Sequence, residues 1–454
     1  MIGKKKFSLI KTFKKQTTED PSIDELDNEL KDYIQNTILQ FQECSNEENF
    51  EFLPTPISML KDMLDNNYEN NDIIYQILSN FECFFPLFFS LITNLQLDND
   101  IYEILIPIIS DITCYIEYPK YSSYATNQFI QALSGIFEYD IEKTNIIKIM
   151  SNIFTEANQD IQNFIISQIS TIANELPEEE ELCNYIIRFF YITTRYIHQL
   201  EPYHYQFIMK FLTSFIRFNN LFWFYSIEAL IERGFDVDQF MIPEFILKYN
   251  QSLYSSSYKI LKSVFYLLGS IINKSNYDNL SQLFDYKQAI KVIFQKYEKM
   301  DKKENKVILS GIDFLVSSAA SGPEMQRYLL SLDILPKIEQ LFNSSSFKIR
   351  SDLSYLYVNL IPQNNYEMRI QLLKNPFFNS SFLQLIESYK ENIQAKILNI
   401  VYTTLLKGES LNDKSYHLFL IKSDFQSLVQ DLSIDSEKIN FKIDKILELL
   451  DKTE

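Results

Sequence analysis

Glycine is scarce in this chain, with 7 in 454 residues, and proline is little commoner at 13. β-Sandwiches, dinucleotide-binding folds and phosphate loops need glycine for tight turns and close phosphate contacts, so none of these is expected. Histidine is scarcer still. His198, His204 and His417 are too scattered for most acid–base or metal sites. His198 and His204 fall in a stretch read as a loop, six residues apart, which is not the spacing of a helical ligand pair. The four cysteines, Cys44, Cys83, Cys114 and Cys183, occupy the first half in apolar, helix-like stretches without metal-site spacing. They read as buried, reduced thiols of an intracellular protein. No GxSxG, GxGxxG, phosphate-loop or CxxC motif occurs, and the many carboxylates single out no pair. Neither catalysis, a cofactor nor a metal is expected. The most apolar run, Phe84 to Ile92, has nine residues including Pro86, against about 20 needed to cross a bilayer. Without a secretory leader either, the expectation is a soluble protein, cytoplasmic, nuclear or both.

What is present points to helices. Apolar residues make up 46% of the chain and aromatics 15%, and the polar remainder suits short loops between helices. The formal charge is −18, which argues against nucleic acid, whose binding draws on cationic contacts to phosphate. It is compatible with a basic protein or peptide partner.

A repeat organises the sequence. In Ile349, Leu353, Leu356, Asn359 the offsets of four and three place four residues on one side of a helix. The frame recurs as Ile308–Ser318, Ile260–Ser270, Ile393–Thr403, Ile439–Leu449, Cys183–Thr193 and Ile101–Asp111, and more weakly before Asn152, Asn80 and Arg233. Its last members are 80, 111, 152, 193, 233, 270, 318, 359, 403 and 449, with most intervals between 37 and 48 residues. That is the period of armadillo and HEAT units. The fold class expected is all-α, a right-handed armadillo/HEAT-type superhelix, or solenoid, of about ten repeats. The domain plan is a flexible basic arm over residues 1–20, then a single solenoid over 21–454 with an atypical closing repeat at 411–454.

One repeat displays the anatomy. Pro323 to Ser331 reads as a short first helix opened by proline, Ile334 to Phe342 as a second, Asn343 to Ser346 as a turn, and Phe347 to Ile361 as a long third helix. Such a unit cannot bury its own apolar face, so neighbours must stack. Asp301 to Lys306 and Asn273 to Asn279 read as loops between repeats, and Pro177 to Glu181 as a helix start.

The segment Ser317-Ser-Ala-Ala-Ser-Gly-Pro-Glu-Met-Gln-Arg-Tyr-Leu-Leu-Ser-Leu-Asp-Ile-Leu-Pro-Lys-Ile338 resembles the armadillo junction SNIAxGxxEQxxxVxxxGxLPxLxxLL, with Gly322 breaking the third helix. Met150-Ser-Asn-Ile153 and Ile77-Leu-Ser-Asn80 resemble the core of the same consensus. Among armadillo proteins the plan is most similar to importin alpha: about ten repeats, a basic N-terminal segment and an atypical end. The resemblance implies that third helices line a peptide groove, where an asparagine clamps the peptide backbone and a tryptophan one turn earlier stacks on lysine stems. On that basis the groove candidates are Asn80, Asn152, Thr193, Tyr266, Ser270, Phe314, Ser318, Tyr355 and Asn359. The sequence departs from the family where Asp111, Thr193, Arg233, Ser270, Ser318, Thr403 and Leu449 replace the asparagine. Gln76, Lys148, Phe189, Tyr266, Phe314 and Tyr355 hold the tryptophan position, and the sole tryptophan, Trp223, falls off it. Lys148 and Arg233 place positive charge where a basic signal would lie.

The arm carries Lys4, Lys5, Lys6, Lys11, Lys14 and Lys15, interleaved with Phe7, Ile10 and Phe13. Three readings stay open: a shortened importin-beta-binding segment, a membrane-surface or targeting helix, or a solvated tail. The corresponding partners are peptides in the groove with a transport receptor on the arm, or those of a scaffold outside nuclear transport, peripheral to a membrane.

Overall fold

The computed structural model describes residues 28–46, 54–66, 74–75, 78–79, 84–93, 97–174, 179–275, 280–295, 304–378, 386, 391–423, 425–430 and 436–452. The lysines of the arm, Asn80, Gln76 and Pro177 lie outside them. The described residues hold helices and turns with no strand, and the fold is an all-α repeat solenoid. They divide into two compact units, one ending at Ala229 and one beginning at Leu230.

The first unit opens with α1 (Asn28–Asn46) and α2 (Pro54–Asn66), followed by α3 (Phe84–Thr93) and α4 (Asn99–Tyr115). A repeat of three helices comes next: α5 (Tyr118–Tyr121), α6 (Asn127–Glu138) and α7 (Lys143–Phe154). Two-helix repeats then follow, α8 (Gln159–Asn174) with α9 (Glu180–Tyr196), and α10 (Pro202–Ser214) with α11 (Leu221–Glu232). The long helix that closes each repeat stacks on the one before, α4 against α7 and α7 against α9.

In the second unit a 3-10 turn (Val237–Phe240), α12 (Pro243–Ser252) and α13 (Tyr258–Lys274) make one repeat. The next two have three helices each. They are α14 (Leu280–Leu283), α15 (Tyr286–Gln295) and α16 (Glu304–Ala320), then α17 (Pro323–Ser331), α18 (Ile334–Ser344) and α19 (Phe347–Leu360). The repeats α20 (Tyr366–Leu373) with α21 (Glu391–Leu411), and α22 (Ser415–Lys422), α23 (Phe425–Gln430) and α24 (Glu437–Asp451) close the chain. Again the last helices stack, α13 on α16, α16 on α19, α19 on α21 and α21 on α24. Helices α17, α18 and α19 follow the boundaries expected from the sequence within two residues. The loop expected over Asp301 to Lys306 is shorter, because Glu304 to Lys306 already belong to α16.

Local signals set these boundaries. Pro202, Pro243 and Pro323 stand in the first turn of α10, α12 and α17, where a missing N–H costs nothing. The Thr126 hydroxyl accepts from the Phe129 N–H at 3.3 Å and the Asn365 carbonyl oxygen from Met368 N–H at 3.0 Å, capping α6 and α20. Gly322 separates α16 from α17 at φ +148°, a backbone state that a side chain disfavours. The core is a column of Ile, Leu and Phe from the stacked helices, such as Ile146, Ile149, Phe189 and Phe190 in the first unit and Leu267, Phe314 and Leu356 in the second.

Candidate functional site

A closing helix sits between two others and beneath the shorter helices of its own repeat, so three of its sides are buried. Only a strip remains open. On α7 that strip carries Asn145, Lys148 and Asn152; on α9 it carries Tyr185 and Arg188; on α4 it carries Asp111 and Cys114. These residues surround a concavity of about 280 Å³, with Ser110 and Ser151 in its wall.

Its polar groups are tied across the repeats. The Asn152 amide donates from α7 to the Thr113 hydroxyl of α4 at 3.1 Å. The Lys148 ammonium donates to the Asn145 carbonyl oxygen at 3.0 Å and sits 4.7 Å from the ring centre of Tyr185 on the next helix. Arg188 repeats the pattern one repeat later, its guanidinium 5.9 Å from the Phe222 ring of α11. Each cation thus rests on an aromatic face, the arrangement favoured by the ring quadrupole. Burial lifts the Asp111 carboxyl to about 6, against the lowering effects of a hydrogen bond from the Tyr75 hydroxyl (3.4 Å) and of Lys148.

In the second unit Tyr266 is open, 47% exposed, and Ser270 and Tyr355 are half-buried on the strips of α13 and α19. Lys396 of α21 lies 4.9 Å from the Tyr355 ring and donates to Asn359. Asp313 occupies the strip of α16, its carboxyl raised to about 6 by burial and by Asp352 nearby, with Lys348 pulling it down.

Four of the expected groove positions need correction. Thr193, Phe314 and Ser318 are fully buried, and their places on the open strips are taken by Arg188 on α9 and by Asp313 and Ser317 on α16. Asn359 is buried too, because its amide donates to the Val316 carbonyl of α16 at 3.3 Å while its oxygen takes Lys396. That asparagine ties three successive helices and is buried away from a bound peptide. Asn152, Tyr266, Ser270 and Tyr355 remain on the strips, in two different units. Arg188 escaped the sequence reading, although its spacing of 40 from Lys148 matches the repeat.

A solved structure shares this fold. An engineered protein from a structural genomics consortium covers 87% of this chain and 96% of its own at TM-score 0.58, with 10% identity. A second engineered protein from the same source covers 63% of this chain and 96% of its own at TM-score 0.38 and 10% identity. A designed armadillo repeat protein in complex with the peptide (KR)4 covers 57% of this chain and 98% of its own at TM-score 0.39 and 14% identity. No family model and no curated protein matches the sequence. At 10% identity the first likeness is one of fold.

No cluster of three or more His, Cys, Asp or Glu able to hold a metal occurs among the described residues, and no described helix is long and apolar enough to cross a membrane. His204 is not in a loop, as the sequence suggested, but in the first turn of α10. Its Nδ1 accepts the Glu201 N–H at 3.1 Å, so the reciprocal cap requires the neutral ring. His417 is buried in α22, with Glu409 4.0 Å away. Burial pushes both histidines below their usual pKa of 6.5, with Glu201 and Glu409 opposing the shift. The unfolded chain therefore takes up these protons first. Their contribution is present above pH 6.5 and is lost as pH falls below it. Asp111 and Asp313 act in the opposite sense, since a carboxyl raised to about 6 adds stability as pH falls from there towards its unfolded value. Melting at pH 7.5 and 5.5 spans both kinds of group, and histidine variants separate them. The double variant His204→Gln, His417→Gln is expected to lose less melting temperature over this interval than the parent, and an equal loss would exclude the assignment.

Proposed function

We propose that this protein is a binding adaptor, and that the open strip of α4, α7 and α9 holds an extended segment of a partner protein. The observation that carries this is the concavity across three successive repeats, lined by amide, aromatic and cationic groups at the spacing of the repeat. Grooves of this kind read a chain segment by segment. The absence of any conventional catalytic motif from the sequence favours binding over chemistry.

A photo-crosslinking amino acid in place of Tyr185 tests the proposal. It is expected to capture partner proteins in a cell lysate, whereas the same group in place of Tyr139, 69% exposed on the turn after α6, is not. Equal capture at the two positions would remove the groove from the function.

A narrower reading makes the protein an importin-alpha-like adaptor of the cytoplasm and nucleus, with Lys4 to Lys15 on a transport receptor. The basic arm and the repeat number favour it; Lys148 and Lys396 on their rings oppose it, since they occupy faces that a basic signal would stack on. Deleting residues 1–20 decides this point. Loss of importin-beta binding supports import, loss of binding to anionic vesicles instead supports a membrane-peripheral scaffold, and loss of neither returns the arm to a tail.

A further inference from the structure

We infer that the concavity on α4, α7 and α9 is a subsite for an anionic side chain, a carboxylate or a phosphorylated hydroxyl, in the partner's segment. The inference rests on the groove proposed above and specifies what it selects. Lys148 and Arg188 enter the concavity from adjacent repeats, and neither forms an ion pair among the described residues. In a chain of net charge −18, this concavity is lined by two cations and a single carboxylate, Asp111. Their charged heads rest on aromatic faces, so little side-chain freedom is lost when an anion arrives. The Asn145 oxygen further orients the Lys148 ammonium at 3.0 Å, and the Arg188 guanidinium keeps the planar fork that suits carboxylate and phosphate. The volume, about 280 Å³, suits one side chain with its flanking backbone, being below the usual range for whole small-molecule sites. Asp111 is the carboxylate on this lining, and it counts against an anion. It is partly shielded by the hydrogen bond from Tyr75, and two positive charges outweigh it.

The probe is a set of dodecapeptide pools, random at eleven positions and fixed at one central position as Glu, phosphoserine, Gln or Lys. They are captured on immobilised full-length protein. The Glu or phosphoserine pool, whichever chemistry the site prefers, is expected to be retained about tenfold over the Gln pool, the scale of one charge-assisted contact, and more over Lys. In Lys148→Ala, Arg188→Ala the preference should vanish while the pools are still retained. In Asp111→Asn retention of the anionic pools should rise severalfold, a gain that a purely structural role would not produce. Both variants alter strip residues, and melting checks that they fold. Equal or better retention of the Gln or Lys pools overturns the anionic subsite and leaves the groove standing. If no pool is retained above a bare surface, the groove reading falls, and this inference with it.

Discussion

Replacing Trp223 by alanine is expected to destabilise the first unit by about 3–5 kcal/mol, the usual cost of emptying a large buried aromatic site. In a unit of this size that lowers the melting temperature by roughly 6–20 °C. The indole is fully buried in α11 and meets Phe224 edge-on at 5.1 Å. Its Nε1–H donates to the Leu212 carbonyl of α10 at 2.9 Å. Trp223→Phe keeps much of the bulk and deletes the donor, leaving a buried carbonyl without its partner at a cost of about 1–3 kcal/mol. Melting followed by circular dichroism should rank the parent above Trp223→Phe and that above Trp223→Ala. If the phenylalanine variant fell as far as the alanine one, the hydrogen bond and not the packing would dominate. As the sole tryptophan, Trp223 also supplies a fluorescence signal confined to the first unit, blue-shifted while that unit is folded.

The second large effect runs against helix propensity. Gly311 lies inside α16, where replacing glycine by alanine ordinarily gains up to about 1 kcal/mol. Here a Cβ would overlap Cγ1 of Ile293 on α15, and would stand 2.8 Å from its Cδ1 and 3.5 Å from the Phe265 ring of α13. Ile293 is itself fully buried, so its atoms have no open space to move into. Overpacking of this kind costs about 1–3 kcal/mol, and more for a larger side chain. Gly311→Ala should therefore destabilise, and Gly311→Val should do so by about 3 kcal/mol or more. Shortening the opposing side chain tests the contact. Ile293→Ala alone costs about 2–5 kcal/mol, but the double variant Gly311→Ala, Ile293→Ala should cost clearly less than the sum, since the new methyl enters the space that was vacated. Additive costs in denaturant unfolding would show that the two positions do not share a volume.

The same helix shows which parts of the structure were legible in the sequence. Offsets of four and three located α16 and α19, and the proline and serine signals around Pro323 and Ser346 set the boundaries between repeats. These features depend on the local chain. The open strip does not. On α16 the buried set includes Val307, Ile308, Ile312, Phe314, Leu315 and Ala319, a broad face of roughly half the circumference. Several frames then satisfy the apolar pattern equally well. The frame ending at Ser318 follows the core, and the strip lies one residue earlier, at Asp313 and Ser317. On α9 the buried Phe189, Phe190 and Thr193 gave the same error, which hid Arg188. On α13 the polar positions Lys259 and Lys262 narrow the choice, and Tyr266 and Ser270 lie on the open strip. The use of Asn359 as an inter-repeat tie could not be read at all, because its partners Val316 and Lys396 lie 43 and 37 residues away.

Those ties have a consequence for how the chain folds. Asn152 reaches back 39 residues, Asn359 reaches 43, and Lys442 reaches 43 to the Asn399 oxygen. Each spans a single repeat, so within a unit these ties need no closure of a loop longer than about one repeat. Loop-closure entropy stays small at every step, and a repeat already formed offers a template to the next one as it leaves the ribosome. Assembly can proceed along the chain like a zip, with a break at one rung stalling its neighbours before it disturbs the rest.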